Sequence, residues 1–153
     1  MKKMIQTRLR KILPLLLLAI MIPALTACGD YGDDFGYDFG YSHIFTDEDI
    51  QSAAEVVLEK VKTLPGCKLH NLRYLGDSYC MDEYFPQLDT AIGEHTYEQV
   101  IVFISDFRTP PKKSDHKTRW EPDREYMDFR WVLARRGSTP WEILHYGEDC
   151  LDV

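Results

Sequence analysis

Apolar and polar positions along this chain fall into stretches of different period. From Ile12 to Leu25 the residues carry no charge and almost all are apolar. In "FTDEDIQSAAEVVLEKVKTLPG" the apolar positions Ile50, Ala53, Ala54, Val57, Val61 and Leu64 recur at helical spacing on one face. Thr46 is a good N-cap there, Asp49 completes a capping-box variant, and Asp47 and Glu48 suit the positive end of the dipole. Pro65 and Gly66 stop the run, which predicts one amphipathic helix from about 47 to 64.

"CKLHNLRYLG" has an ambiguous period, but its position and its Gly76-Asp77 ending predict a strand. Residues 77 to 97, with Pro86, Gly93 and scattered aromatics, fit a strand piece or a short helix plus loop. "YEQVIVFISDFRT" is apolar and β-branched almost throughout, which predicts a strand buried on both faces. After the loop "TPPKKSDHKTRWEPD", the stretch "EYMDFRWVLARRG" alternates. Met127, Phe129, Trp131 and Leu133 fall on one face and Tyr126, Asp128, Arg130 and Val132 on the other. The closing "PWEILHYG" sends Trp141, Ile143 and His145 one way and Glu142, Leu144 and Tyr146 the other. No crossover helices separate the later strands, so the expected class is α+β. One long helix would pack on a curved antiparallel sheet of three to four strands.

The apolar run near the N-terminus changes the picture of where the protein resides. Lys2, Lys3, Arg8, Arg10 and Lys11 precede it and small residues follow, the three-part plan of a secretory signal. The run is short of the ~20 residues needed to cross a bilayer. Leu25, Thr26, Ala27 and Cys28 resemble the bacterial lipobox, in which the thiol is diacylglycerylated and signal peptidase II cuts before the cysteine. The resemblance implies a lipid attachment at Cys28, recognised through Leu25–Ala27, and an extracytoplasmic protein held on the cell membrane. Two or more acyl chains give a stable anchor where one does not.

Next comes "GDYGDDFGYDFGYS", with Gly32, Gly36 and Gly40 spaced by four among acids and aromatics. It is read as a flexible spacer without a consistent apolar face. A calcium loop and an aromatic patch against headgroups are the other readings. EF-hand chemistry needs alternating acids and a terminal Glu, and neither is present. The expected organisation is therefore a signal peptide over 1–27, a lipid-anchored tether over 28–43 and one domain over 44–153.

The formal charge of −7 understates the acidity of the domain. Taking the five basic leader residues from the 18 Lys+Arg leaves 13 against 25 acids, about −12 after Cys28. Such a domain repels a phosphate backbone, so nucleic acid is excluded as a partner. The expected partners are the membrane, through the anchor, and an envelope protein or wall polymer.

The helix, "CKLHNLRYLG", "VIVFISDF", "REYMDFRWVLARRG" and "PWEILHYG" together resemble small Gram-positive lipoproteins with a cystatin-like or NTF2-like domain. The pair Asp106-Phe107, the run "YMDFRW" and the ending Trp141, Ile143 and Gly147 carry most of that resemblance. It implies a fold and an address, and brings no catalytic signature.

Candidate chemistry is sparse. Cys67, Cys80 and Cys150 contain no C-x-x-C, so no zinc site is expected, and both one disulfide and three reduced thiols remain open. His43, His70, His95, His116 and His145 form no metal-ligand pair, and no cofactor motif is present. The locally basic "KKSDHKTR" is a solvated loop or a dock for anionic lipid or polymer. Two functional readings follow. One is a non-catalytic binding domain of the envelope. The other is a small NTF2-like enzyme or ligand-binding cone in which Asp106, Tyr126 and His145 converge, with His145 beside Asp106 as a general base. The first is preferred.

Overall fold

The computed structural model describes residues 30–92, 96–114 and 119–148. The leader, the Leu25–Cys28 tetrapeptide, His95, His116 and Cys150 lie outside the described residues. The class is α+β. Strands β1 (Asp30–Asp38), β2 (Lys68–Tyr74), β3 (Gln99–Arg108), β4 (Glu125–Arg135) and β5 (Glu142–Gly147) form one sheet in the order β1-β2-β3-β4-β5. Helix α1 (Asp47–Lys62) precedes β2, and a π-helical segment, Ser78–Tyr84, runs into α2 (Phe85–Ile92) before β3.

Helix α1 begins at the expected cap. The Thr46 hydroxyl accepts the Asp49 amide, and the Asp49 carboxylate accepts the Thr46 amide in return. Its stripe Ile50, Ala53, Ala54, Val57, Leu58 and Val61 is buried with Leu69, Leu72, Ile101, Phe103, Trp131 and Leu133 from the sheet. Each Val, Leu or Ile side chain among them, withdrawn from water, contributes ~1.5–3 kcal/mol.

Two fold expectations need correction. The helix is not single: residues 78–92 are helical, with Pro86 directly after the π-helical segment, at the second position of α2. Cys80, Tyr84 and Leu88 cover the other sheet face, against Val100, Val102, Val132 and Ala134. That second cover is why β3 is apolar at successive positions. The sheet is also not wholly antiparallel and has more than four strands. β2 to β5 pair antiparallel, but β1 pairs parallel to β2 and is an edge strand among the described residues.

β1 lies inside the stretch expected to be a spacer, so the sheet begins ahead of the boundary expected at 44. The reason is a period that the glycine spacing masks. Odd positions 31, 35, 37 and 39 are aromatic, with Asp33 the exception, while 32, 34, 36 and 38 hold only Gly and Asp. Tyr31, Phe35 and Phe39 pack against the α1-side core, and Phe39 meets Phe103 edge-on at 5.9 Å between ring centres.

The expected side-chain parities of β4 and β5 also change. β4 carries one extra residue against β3, since Ser105 pairs with Phe129 but Phe107 pairs with Tyr126. Asp128 takes φ 52°, the left-handed region. This bulge turns Tyr126 into the core with Phe129 and leaves Met127 60% exposed. A second bulge gives β5 an extra residue between Ile143 and His145. It leaves Tyr146 stacked on Trp131 at 5.2 Å and sets His145 opposite Val132, on the other face from Ile143.

Candidate functional groove

The candidate site forms where β1 meets the flank of α1. The aromatic positions of β1 make a ladder: Tyr31 to Phe35, Phe35 to Tyr37 and Tyr37 to Phe39 are 4.7, 4.7 and 5.2 Å apart between ring centres. The ladder ends on Phe103, so its far end is fixed in the core while Tyr37 stays 56% exposed. Facing it, Gln51, Ala54, Glu55 and Leu58 recur at helical spacing along α1. Together Tyr37, Phe39 and these four residues line a cleft of about 390 Å³. Its floor is apolar and its rim carries the Glu55 carboxylate and the Gln51 amide, which lie 3.4 Å apart.

The electrostatics of this cleft are one-sided. From Asp30 to Glu59 every Asp, Glu, Lys and Arg is acidic, and the first base is Lys60. Lys60 and Arg119 instead lie over the ring of Tyr146, at 5.5 and 4.9 Å, beside β5. Among Asp, Glu, Lys and Arg, β1 and the cleft-lining flank of α1 therefore carry acids alone, while Lys68 and Arg73 of the neighbouring strand β2 stand opposite Asp30 and Asp38.

A second polar cluster fastens the chain that leads from β1 to α1. The Asp77 carboxylate accepts the Ser42 hydroxyl at 2.6 Å, the His43 amide at 2.7 Å and the Tyr74 hydroxyl at 2.7 Å. Burial works to raise the pKa of Asp77, but those three donors outweigh it and hold the carboxyl below its ordinary value. The Tyr74 phenol is pushed up, first by burial and then by the adjacent carboxylate. All donors and acceptors face one another, so the cluster clamps the 42–45 turn rather than offering a reactive group.

The three weak catalytic candidates do not assemble. Asp106 accepts Asn71 Nδ2 at 2.5 Å and the Asp128 amide at 2.9 Å, and so staples β2 and the β4 bulge to β3. Tyr126 is buried on the α1 side, stacked on Phe107 at 5.1 Å, with its hydroxyl accepting the Glu121 amide at 3.2 Å. His145 lies on the opposite face from Tyr126, and β4 separates its strand from that of Asp106. Val102, level with His145 through Val132, is four residues from Asp106. The spacing is roughly 10 Å across the sheet and 13 Å along it. Nothing there forms an acid–base pair.

Other candidates are likewise structural. Cys67 and Cys80 are free and buried in clusters on opposite faces, so they do not pair with each other. Burial pushes their thiols up to about 11 and about 12, away from the thiolate that reactivity requires. His43 packs edge-on to Tyr41, and His70 Nε2 lies 3.4 Å from Glu125. Among the described residues no group of His, Cys, Asp and Glu could hold a metal ion, and no helix is long and apolar enough to cross a membrane. The basic loop falls partly on 115–118, outside the described residues.

In comparisons with known proteins, no family model, curated protein or solved structure matches the chain. The groove residues were missed in the sequence for a local reason. Tyr37 and Phe39 lie in a stretch whose alternation Asp33 breaks and the glycine spacing masks, and Gln51 and Glu55 lie outside the apolar stripe of α1.

Proposed function

We propose that the protein is a lipid-anchored lipoprotein on the extracytoplasmic face of the cell membrane, and that its domain is a non-catalytic binding module of the envelope. The observation that carries the binding reading is the open cleft between β1 and α1, with an apolar aromatic floor and an acidic rim. Asp106 and Tyr126, two of the candidate catalytic groups, are engaged in hydrogen bonds that hold the fold, which supports a module that binds rather than reacts. The anchor reading rests on the basic leader and on Leu25, Thr26, Ala27 and Cys28. One glycine separates Cys28 from β1, so an acylated Cys28 holds the groove strand close to the bilayer.

Within the α+β class, we read the domain as a variant of the cystatin-like or NTF2-like arrangement. Helix α1 touching β2, β3 and β5, over four consecutive antiparallel strands, supports that reading. β1 and α2 are additions to it.

Mass analysis of membrane-extracted protein tests the anchor. Loss of residues 1–27 with a diacylglyceryl group on Cys28, both absent from a Cys28→Ala variant, is the expected result. An unmodified Cys28 on a secreted or uncleaved chain overturns it.

A further inference from the structure

We infer that the partner is an extended, cationic peptide segment that adds as a strand to the outer edge of β1 and sets alternate apolar side chains into the β1–α1 cleft. This rests on reading that cleft as the binding site, and it names the occupant. Four observations carry it.

The first is topological. β1 pairs with β2 alone and is an edge of the sheet among the described residues, so one row of its backbone donors and acceptors faces outward. An extended peptide satisfies such a row by main-chain bonding, while pockets along the strand select alternate side chains. The second is steric. Tyr37 and Phe39 project from β1 on the α1 side with Ala54 and Leu58 opposite, which gives a cleft beside that edge rather than a closed wall. An added Cβ at Gly36 meets nothing within 4 Å, so the backbone beside Tyr37 is approachable from its other face.

Charge is the third. Edge strands bearing like charges resist pairing with copies of themselves. Here the charged residues of β1 are all acids, and Glu55 is the charged residue lining the α1 side of the cleft. Lys68 and Arg73 of β2 lie opposite Asp30 and Asp38, with Arg73 also held by Asp128. A second copy would set Asp against Asp, and an anionic bilayer or polymer would meet the same field. A Lys- or Arg-bearing strand is attracted by it. The fourth is register: past the shift between Tyr31 and Gly36, Gly36, Tyr37 and Asp38 pair in step with Asn71, Leu72 and Arg73, so this end of β1 has the regular extended backbone that another strand can pair with.

The test uses the full chain in detergent and three acetylated, amidated hexapeptides. One alternates Lys with Phe, one alternates Glu with Phe, and one has the Lys/Phe composition with a central Pro that cannot complete a strand ladder. Binding is followed by calorimetry, by amide exchange over Gly36–Phe39 and by the methyl signals of Ala54 and Leu58. The Lys/Phe peptide is expected to bind, to slow exchange at those amides and to shift those methyls, with the other two at least tenfold weaker. Glu55→Lys and Tyr37→Ser, both at exposed positions, are expected to weaken binding about tenfold with an unchanged unfolding midpoint.

Equal binding of the proline peptide would mean charge attraction without strand addition, and equal binding of the Glu/Phe peptide would remove the cationic occupant. Shifted methyls without slowed exchange overturn strand addition while leaving the cleft as the binding site. Peptides that disturb neither set of signals overturn both.

Discussion

Asp128 and Asp106 show how one residue can decide the direction in which a strand faces. Asp128 sits at φ 52°, where L-residues other than Asp and Asn are strained, and its amide points at the Asp106 carboxylate. Its own carboxylate meets Arg73 at 2.9 Å on the surface, a pair of small worth. Asp128→Gly should therefore leave stability within about 0.5 kcal/mol of the native chain, whereas Asp128→Val should cost ~1–2 kcal/mol. Chemical denaturation of the two variants checks this. Asp77 carries a pH signature instead. Its folded pKa lies below its ordinary value of 3.8, so its contribution is complete above that value and lost as pH falls through the lower folded pKa. Thermal unfolding between pH 6 and 3 should show Asp77→Asn less stable at pH 6. The gap should narrow as pH falls below 3.8.

At the scale of elements, the connection that matters most for the groove is the one that holds α1 in place. Arg135 of β4 reaches the α1 cap at Asp49 over 2.7 Å, bonds Gln99 of β3 at 2.6 Å, and stacks on Trp141 at 4.2 Å from the ring centre. The side chain is 13% exposed, so these bonds escape most solvent screening. Lysine keeps the charge but not the fork or the stacking surface. Arg135→Lys is expected to cost ~1.5–3 kcal/mol and to lower the unfolding midpoint. Loss of the α1 docking angle would also open the cleft, so the same variant should weaken peptide binding. A variant as stable as the native chain would show that the hydrophobic stripe alone positions α1.

For the whole molecule the governing fact is an uneven charge. About −12 after Cys28 is carried on a small domain, with acids at β1 and the first turns of α1 and the cations Lys60 and Arg119 over Tyr146. Self-repulsion of this kind destabilises the compact state and is screened by salt, with a Debye length of ~10 Å at 0.1 M. The unfolding midpoint is expected to rise by a few degrees between 10 and 200 mM NaCl, measured by differential scanning calorimetry. A falling midpoint would mean that surface ion pairs such as Arg108–Asp123 outweigh the repulsion.

By itself the sequence determined what depends on neighbours in the chain. Thr46, Asp49 and the stripe from Ile50 to Val61 specify α1, because cap chemistry and helical period act within a few residues. The unbroken apolar run of β3 specified a strand covered on both faces. Only the tertiary structure decided which way β4 and β5 face, since each carries one extra residue that the alternation does not announce. It also recruited Asp30–Asp38 into the sheet, through pairing with β2 across a long separation. The cleft arises from that pairing: its two walls are unremarkable alone, and become a site because packing sets an aromatic edge strand beside the acidic flank of a helix.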